Sequence, residues 1–252
     1  MDNNELNSAS YSHLVEEVGG GNRRPMDAES MEWAQRTLMR NVYGWMTMAL
    51  VITGMMAYYI GTNLDLVAAI FGNSVLFWGL FIAEIALVMV LSARINKMSF
   101  ATAGVLFGVY SLLNGVFLGS IFTAYTTESI ASTFFITAGM FAVMAIIGST
   151  LKKDLSGLGR FFLMALVGLI IASVVNWFMQ SSTLYWITSV VGVLLFTGLT
   201  VYDAQKIKRM FAEVDDVDDT VRKYALLGAL SLYLDFINLF LYLLRFLGNR
   251  RS

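Results

Sequence analysis

Three carboxylates stand inside long apolar stretches of this chain: Glu84, Asp203 and Asp235. An acid at the centre of a membrane-spanning helix costs about 2.5–3.5 kcal/mol on insertion scales, so each one calls for a proton, a cation or a partner. Asp235 sits on a patterned face. Gly228, Ser231, Asp235, Asn238, Tyr242 and Arg245 follow at intervals of three, four, three, four and three, while most remaining positions there are Leu, Phe, Ile or Ala. Such spacing puts all six on one side of a helix. In lipid that stripe must turn inward, either as a packing seam with interhelical hydrogen bonds or as the lining of an ion path through Ser231, Asp235 and Asn238.

Asp203 precedes Lys206 and Lys208. It is either an interfacial acid paired with one of those lysines or the neighbour of Asp235. In the second case two carboxylates share a partly desolvated site, cannot both ionise easily, and titrate as a unit. That is the chemistry of a proton-sensitive switch or a cation contact. Arg94 is the expected cation for the charged form. Glu84 precedes it by ten residues, about 15 Å along a helix, and does not compete for it directly. Oxygen donors suit Ca²⁺, yet two carboxylates, Asn238 and carbonyls make an incomplete shell, so passage of H⁺ or Na⁺ is equally open.

Other chemistry is excluded by composition. Among 252 residues there is no cysteine and a single histidine, His13 in a polar tail, so disulfides, Cys/His zinc or iron–sulfur sites and histidine triads are out. A net charge of −1 gives no reason to expect nucleic acid. Intramembrane aspartyl proteases place their second aspartate in Gly-x-Gly-Asp and follow it with Pro-Ala-Leu. Here that site reads Leu232-Tyr233-Leu234-Asp235 and the only proline is Pro25, so no enzymatic activity is expected. A retinal protein needs a lysine in its last helix, and none stands between Tyr224 and Leu247. The acidic stretch Glu213, Asp215, Asp216, Asp218, Asp219 lacks the glycine and terminal glutamate of an EF-hand and reads as a solvated loop.

The elements that must position these acids are helices. With 57% hydrophobic and 14% charged residues, the chain has the composition of a polytopic, all-α membrane protein. Residues 1–40 form a polar tail and an amphipathic lead-in, and residues 41–252 the transmembrane domain. Seven runs are long enough to cross a bilayer: Val42–Gly61, Ser74–Ala93, Phe100–Thr123, Ala131–Thr150, Phe161–Met179, Tyr185–Tyr202 and Tyr224–Leu247. Lysines and arginines fall in alternate connections, which predicts a cytoplasmic N-terminus. Seven spans would put the C-terminus outside although it carries Arg245, Arg250 and Arg251; either the seventh run does not fully cross or the preceding six outweigh a short tail. In the third run Gly104, Gly108, Ser111, Gly115 and Gly119 make a face on which another backbone can approach closely. Asn114, and Asn176 with Ser173, either join the polar interior or bond across helices.

Two segments resemble the hallmarks of a known family. Tyr202-Asp203-Ala204-Gln205-Lys206-Ile207, and Ala229-Leu230-Ser231-Leu232-Tyr233-Leu234-Asp235-Phe236-Ile237-Asn238-Leu239-Phe240 running on to Leu243-Leu244-Arg245, are similar to the Bax inhibitor-1 (transmembrane Bax inhibitor motif) family. Lys152-Lys153-Asp154-Leu155-Ser156 and Glu84 look like its prokaryotic branch. The resemblance implies seven helices, with the seventh central and six around it. It also implies a pH-sensitive calcium leak in which Asp203 and Asp235 are the paired aspartates, Arg94 the latch they hold when deprotonated, and Glu84 an acid of the ion path. Ca²⁺ and H⁺ would then be transported ions rather than cofactors, and the site a bacterial plasma (inner) membrane. The other class open to such a chain is a non-transporting regulator that binds another membrane protein, for which the third-run glycine face is a candidate surface.

Overall fold

The computed structural model describes residues 28–212 and 219–251. The polar tail with His13 and most of the acidic stretch lie outside the described residues. Nine α-helices occur among them: α1 Ala28–Gly61, α2 Leu64–Phe71, α3 Ser74–Arg94, α4 Phe100–Leu118, α5 Ile121–Ala124, α6 Thr127–Thr150, α7 Gly159–Met179, α8 Ser182–Ala212 and α9 Asp219–Leu247. No strand is formed among them; a single antiparallel bridge joins Tyr125 to Arg250. Seven helices are long and apolar enough to cross a membrane: α1, α3, α4 (continued by α5), α6, α7, α8 and α9. The protein is an all-α, multi-pass membrane protein.

The expected runs are present with longer ends. The lead-in is continuous with the first span as one 34-residue helix, because Ala34, Leu38, Val42 and Met46 continue one buried face across the junction. The first connection contains α2, started by Asn63, whose side chain accepts from the Leu66 N–H; Asn73 caps α3 in the same way. The sixth span runs ten residues past Tyr202, to Ala212. Ala204, Gln205, Ile207 and Phe211 bury one face of that extension while Lys206 and Lys208 remain exposed. Asp203 therefore lies within α8 rather than at its end.

The last helix is the best buried. In its crossing stretch 67% of residues are buried, against 6% in α3 and in α7. It packs mainly on α8, α1, α6 and α4. The two peripheral spans attach elsewhere: Phe77 and Phe81 of α3 meet Phe117 of α4 edge-on, and Phe162 of α7 meets Tyr202 of α8. Four helices, not six, are thus the principal neighbours of α9. The glycine face of α4 is occupied by α1: a methyl on Gly115 would lie 2.7 Å from the Thr53 carbonyl, and one on Gly119 2.7 Å from Ile60. Gly108 has open space beside it.

The C-terminal arginines are accommodated where α9 emerges. Arg245 lies over the Tyr242 and Tyr185 rings at 5.2 and 5.8 Å, and Arg250 lies over Tyr185 at 5.6 Å. Backbone bonds from Thr126 to Asn249 and from Arg251 to Ala124 clasp the tail to the α5–α6 connection. At 29 residues the seventh helix is long enough to cross, and its end lies at the opposite end of the bundle from the basic connections.

Candidate functional site

The antiparallel pair α8–α9 positions the two aspartates. Ile207 fills the space over Gly228, Asp203 meets Asp235, and the Tyr242 ring covers Gly192. These three points set the register, since numbers fall along α8 as they rise along α9. The stripe on α9 is therefore a seam against α8 with an acid pair built into it.

Asp203 and Asp235 bring their carboxyl groups within side-chain hydrogen-bonding reach of each other. Asp235 is 5% exposed. With both groups ionised neither is a donor, and Oδ2 of Asp235 is then buried without a hydrogen-bond partner among the described residues. A proton on either carboxyl supplies the missing donor, and a cation between them supplies the missing charge. Asp203 is half-buried and feels the positive charge of Lys206, one turn further on. Lys208 turns away and donates to the Ser149 carbonyl at 2.6 Å.

Arg94 is not brought to this pair. It ends α3, is exposed, and makes no hydrogen bond or ion pair among the described residues. The reason is depth. The turn that follows it approaches Lys223, whose Nζ donates to the Met98 carbonyl, and Asp235 lies twelve residues, about 18 Å, further along α9. Lys223 also pairs with Asp219 at 3.7 Å. Ser231 and Asn238 are half-buried on the stripe, and the Asn238 amide donates to its own helix at the Leu234 carbonyl. Asn176 and Ser173 likewise bond locally, to the Ser181 N–H and the Leu169 carbonyl.

Glu84 belongs to a different polar group. Its charge acts on Tyr110 and Tyr233, which contact each other edge-on. Tyr233 is two residues, hence about 200°, from Asp235 and faces the other side of α9. Its hydroxyl lies 2.7 Å from Thr53 Oγ1, and Thr53 donates to the Ser111 carbonyl at 2.9 Å. Thr53 has only one hydroxyl proton, so Tyr233 is the donor to it. Asn114 donates to the Tyr110 hydroxyl at 3.3 Å. Sequence reading found Glu84 and Asn114 but not Thr53 or Tyr233, which look like filler in apolar runs.

Gln205, within the first hallmark segment, ties α8 to the α6–α7 connection. Its amide oxygen accepts from the Leu155 N–H, and its amide nitrogen donates to the carbonyls of Leu151 and Lys153. Arg209 pairs with Asp154 in the same connection. Ser156 donates both its hydroxyl and its backbone N–H to that aspartate, and these bonds, with Arg209, hold it below the usual carboxylate range. Among the described residues no cluster of three or more His, Cys, Asp or Glu forms; a cation at the pair would take its further oxygens from carbonyls or water.

The family profile described as "Inhibitor of apoptosis-promoting Bax1" matches residues 35–252. The chain belongs to the Bax inhibitor-1 family. It is 51% identical over 217 residues to the inner membrane protein YbhL of Escherichia coli K12, covering 86% of this chain and 93% of that protein. An uncharacterized protein of Borreliella burgdorferi is 45% identical over 223 residues, with 86% and 96% covered. An uncharacterized membrane protein of Streptococcus pyogenes serotype M1 is 38% identical over 186 residues, with 73% and 80% covered. Both hallmark segments of this family member therefore meet at one place, the α8–α9 seam.

Proposed function

We propose that this chain is a pH-sensitive calcium leak of the Bax inhibitor-1 type in a bacterial inner membrane, with Asp203 and Asp235 as its proton sensor and its N-terminus cytoplasmic. The observation that carries this reading is the buried face-to-face aspartate pair with an oxygen of Asp235 lacking a partner. A pair in that setting has two satisfied forms, one holding a proton and one holding a cation, and exchange between them links pH to cation occupancy. The pair sits on the seam between α8 and α9, so its charge state acts on how tightly those helices close. Glu84, with Tyr110 and Tyr233 on the other side of α9, is a further acid of the path. Arg94 acts as a latch only if α3 moves inward; in the closed seam Lys206 is the cation beside Asp203. The alternation of basic connections supports the assigned orientation.

Calcium flux into proteoliposomes of the purified protein, followed from pH 8 to pH 5, tests the proposal. The leak is expected to rise as protons replace the cation at the pair, and the double variant Asp203→Asn, Asp235→Asn to flatten that profile. An unchanged pH profile in the double variant overturns the sensor. Vesicles that stay tight at every pH overturn the leak and leave a regulator of another membrane protein.

A further inference from the structure

Between α1 and α6 the bundle is open to one side. A cavity of about 860 Å³ lies there, walled by Tyr43 and Gly54 on α1 and Ala138 and Ala142 on α6, with Phe236 and Phe240 of α9 as its floor. No charged residue among those described lines it. From Tyr43 to Tyr58, both on its wall, it follows α1 for about 22 Å, most of the roughly 30 Å hydrocarbon thickness. We propose that this groove binds an anionic phospholipid, with its acyl chains along the groove and its phosphate at Arg40 and Lys208.

Size distinguishes the occupants. An apolar cavity of about 150 Å³ holds one benzene, so 860 Å³ holds roughly thirty carbons, about two acyl chains. A helix of the same length, about 10 Å across, needs roughly 1,700 Å³ and does not fit. Water is disfavoured by the apolar walls, and the medium at this depth is hydrocarbon.

Charge selects the headgroup and its end. Ser149 lines the groove, and its carbonyl holds Lys208 Nζ at the mouth, leaving that ammonium two donors without a partner among the described residues. Arg40 is exposed one turn before Tyr43, on the same face of α1, and Lys152 and Lys153 follow α6 immediately. Asp154, in the connection after α6, is occupied by Arg209. At the other mouth Glu128 and Arg251 oppose each other in sign. An anionic phosphate is thus favoured at one end only.

Native mass spectrometry of the delipidated protein with phosphatidylglycerol or phosphatidylcholine of matched chains tests this. Wild type is expected to retain phosphatidylglycerol about tenfold better than phosphatidylcholine. Filling the groove with Ala142→Phe, or separately with Ala138→Leu, should lower retention of both lipids several-fold. Val143→Phe, on the adjoining exposed face, should retain them and so controls for folding. Arg40→Gln with Lys208→Gln should keep lipid bound but abolish the preference. Equal retention in the groove-filling variants, absence of a headgroup preference in wild type, or a photoreactive residue at 142 crosslinking to a polypeptide instead of lipid would each overturn the proposal.

Discussion

At the scale of single residues, the hydroxyl chain from Tyr233 through Thr53 to the Ser111 carbonyl joins three helices at a point where every member is at most 2% exposed. Its direction makes the two ends unequal. Tyr233→Phe removes one donor and keeps the edge-on contacts with Phe107 and Tyr110; interhelical hydrogen bonds in membrane proteins average about 0.6 kcal/mol, so the loss should be about that size. Thr53→Val has nearly the same shape but strands the buried Tyr233 hydroxyl, while the Ser111 carbonyl keeps its helical bond, for about 1–3 kcal/mol. Thermal unfolding in detergent should therefore rank Thr53→Val clearly below Tyr233→Phe, and the reverse order would refute the assigned donor. None of this was legible beforehand. A threonine and a tyrosine in apolar runs carry no periodic signal, and their contact depends on three helices meeting. Asp235 was legible because an acid in such a run has no inexpensive explanation and because its neighbours three and four residues away are polar too.

At the scale of elements, α8 shows both the reach of pattern reading and its end. Hydropathy located the span, but the helix continues ten residues further because one face of the extension is buried by tertiary contacts that hydropathy does not record. The same limit explains Arg94, which was expected beside the pair because it ends its helix on the basic side but is separated from the pair by depth along α9. The extension holds Gln205, whose three bonds immobilise the α6–α7 connection. Gln205→Leu should expose that connection, and trypsin should cut the solubilised protein at Lys152 and Lys153 several-fold faster than wild type; unchanged cleavage would remove the clamp. Asp154 in this connection is held below the usual carboxylate range by Ser156 and then Arg209. A depressed carboxylate contributes its tie above its unfolded value and loses it only as pH falls through the lower folded value. The tie is therefore intact throughout pH 5–8. Asp154→Asn should leave the pH profile of calcium flux in that window unmoved, and a shifted profile would place the sensor in the connection instead of the seam.

At the scale of the whole molecule, the odd number of crossings decides where the ends lie. The positive charge of the tail argued against the seventh crossing only while its arginines were counted as free. Arg245 and Arg250 rest on the faces of Tyr185 and Tyr242, where each exposed cation–π contact is worth about 0.5–1 kcal/mol. The tail is further clasped by main-chain bonds to Ala124 and Thr126. Two engaged arginines and Arg251 at one end of a 29-residue helix pull less on topology than basic residues distributed over the lead-in and three connections, where the bias also extends across several helices. The absence of cysteine makes this directly measurable. Single variants Lys152→Cys and Arg251→Cys in intact cells should differ in labelling by a membrane-impermeant maleimide, with only Arg251→Cys reacting before permeabilisation and Lys152→Cys only after it. Labelling of both from the same side would mean that one of the seven helices lies in the membrane without crossing. The α8–α9 seam would then open toward a different compartment, and the pH it senses would be that compartment's.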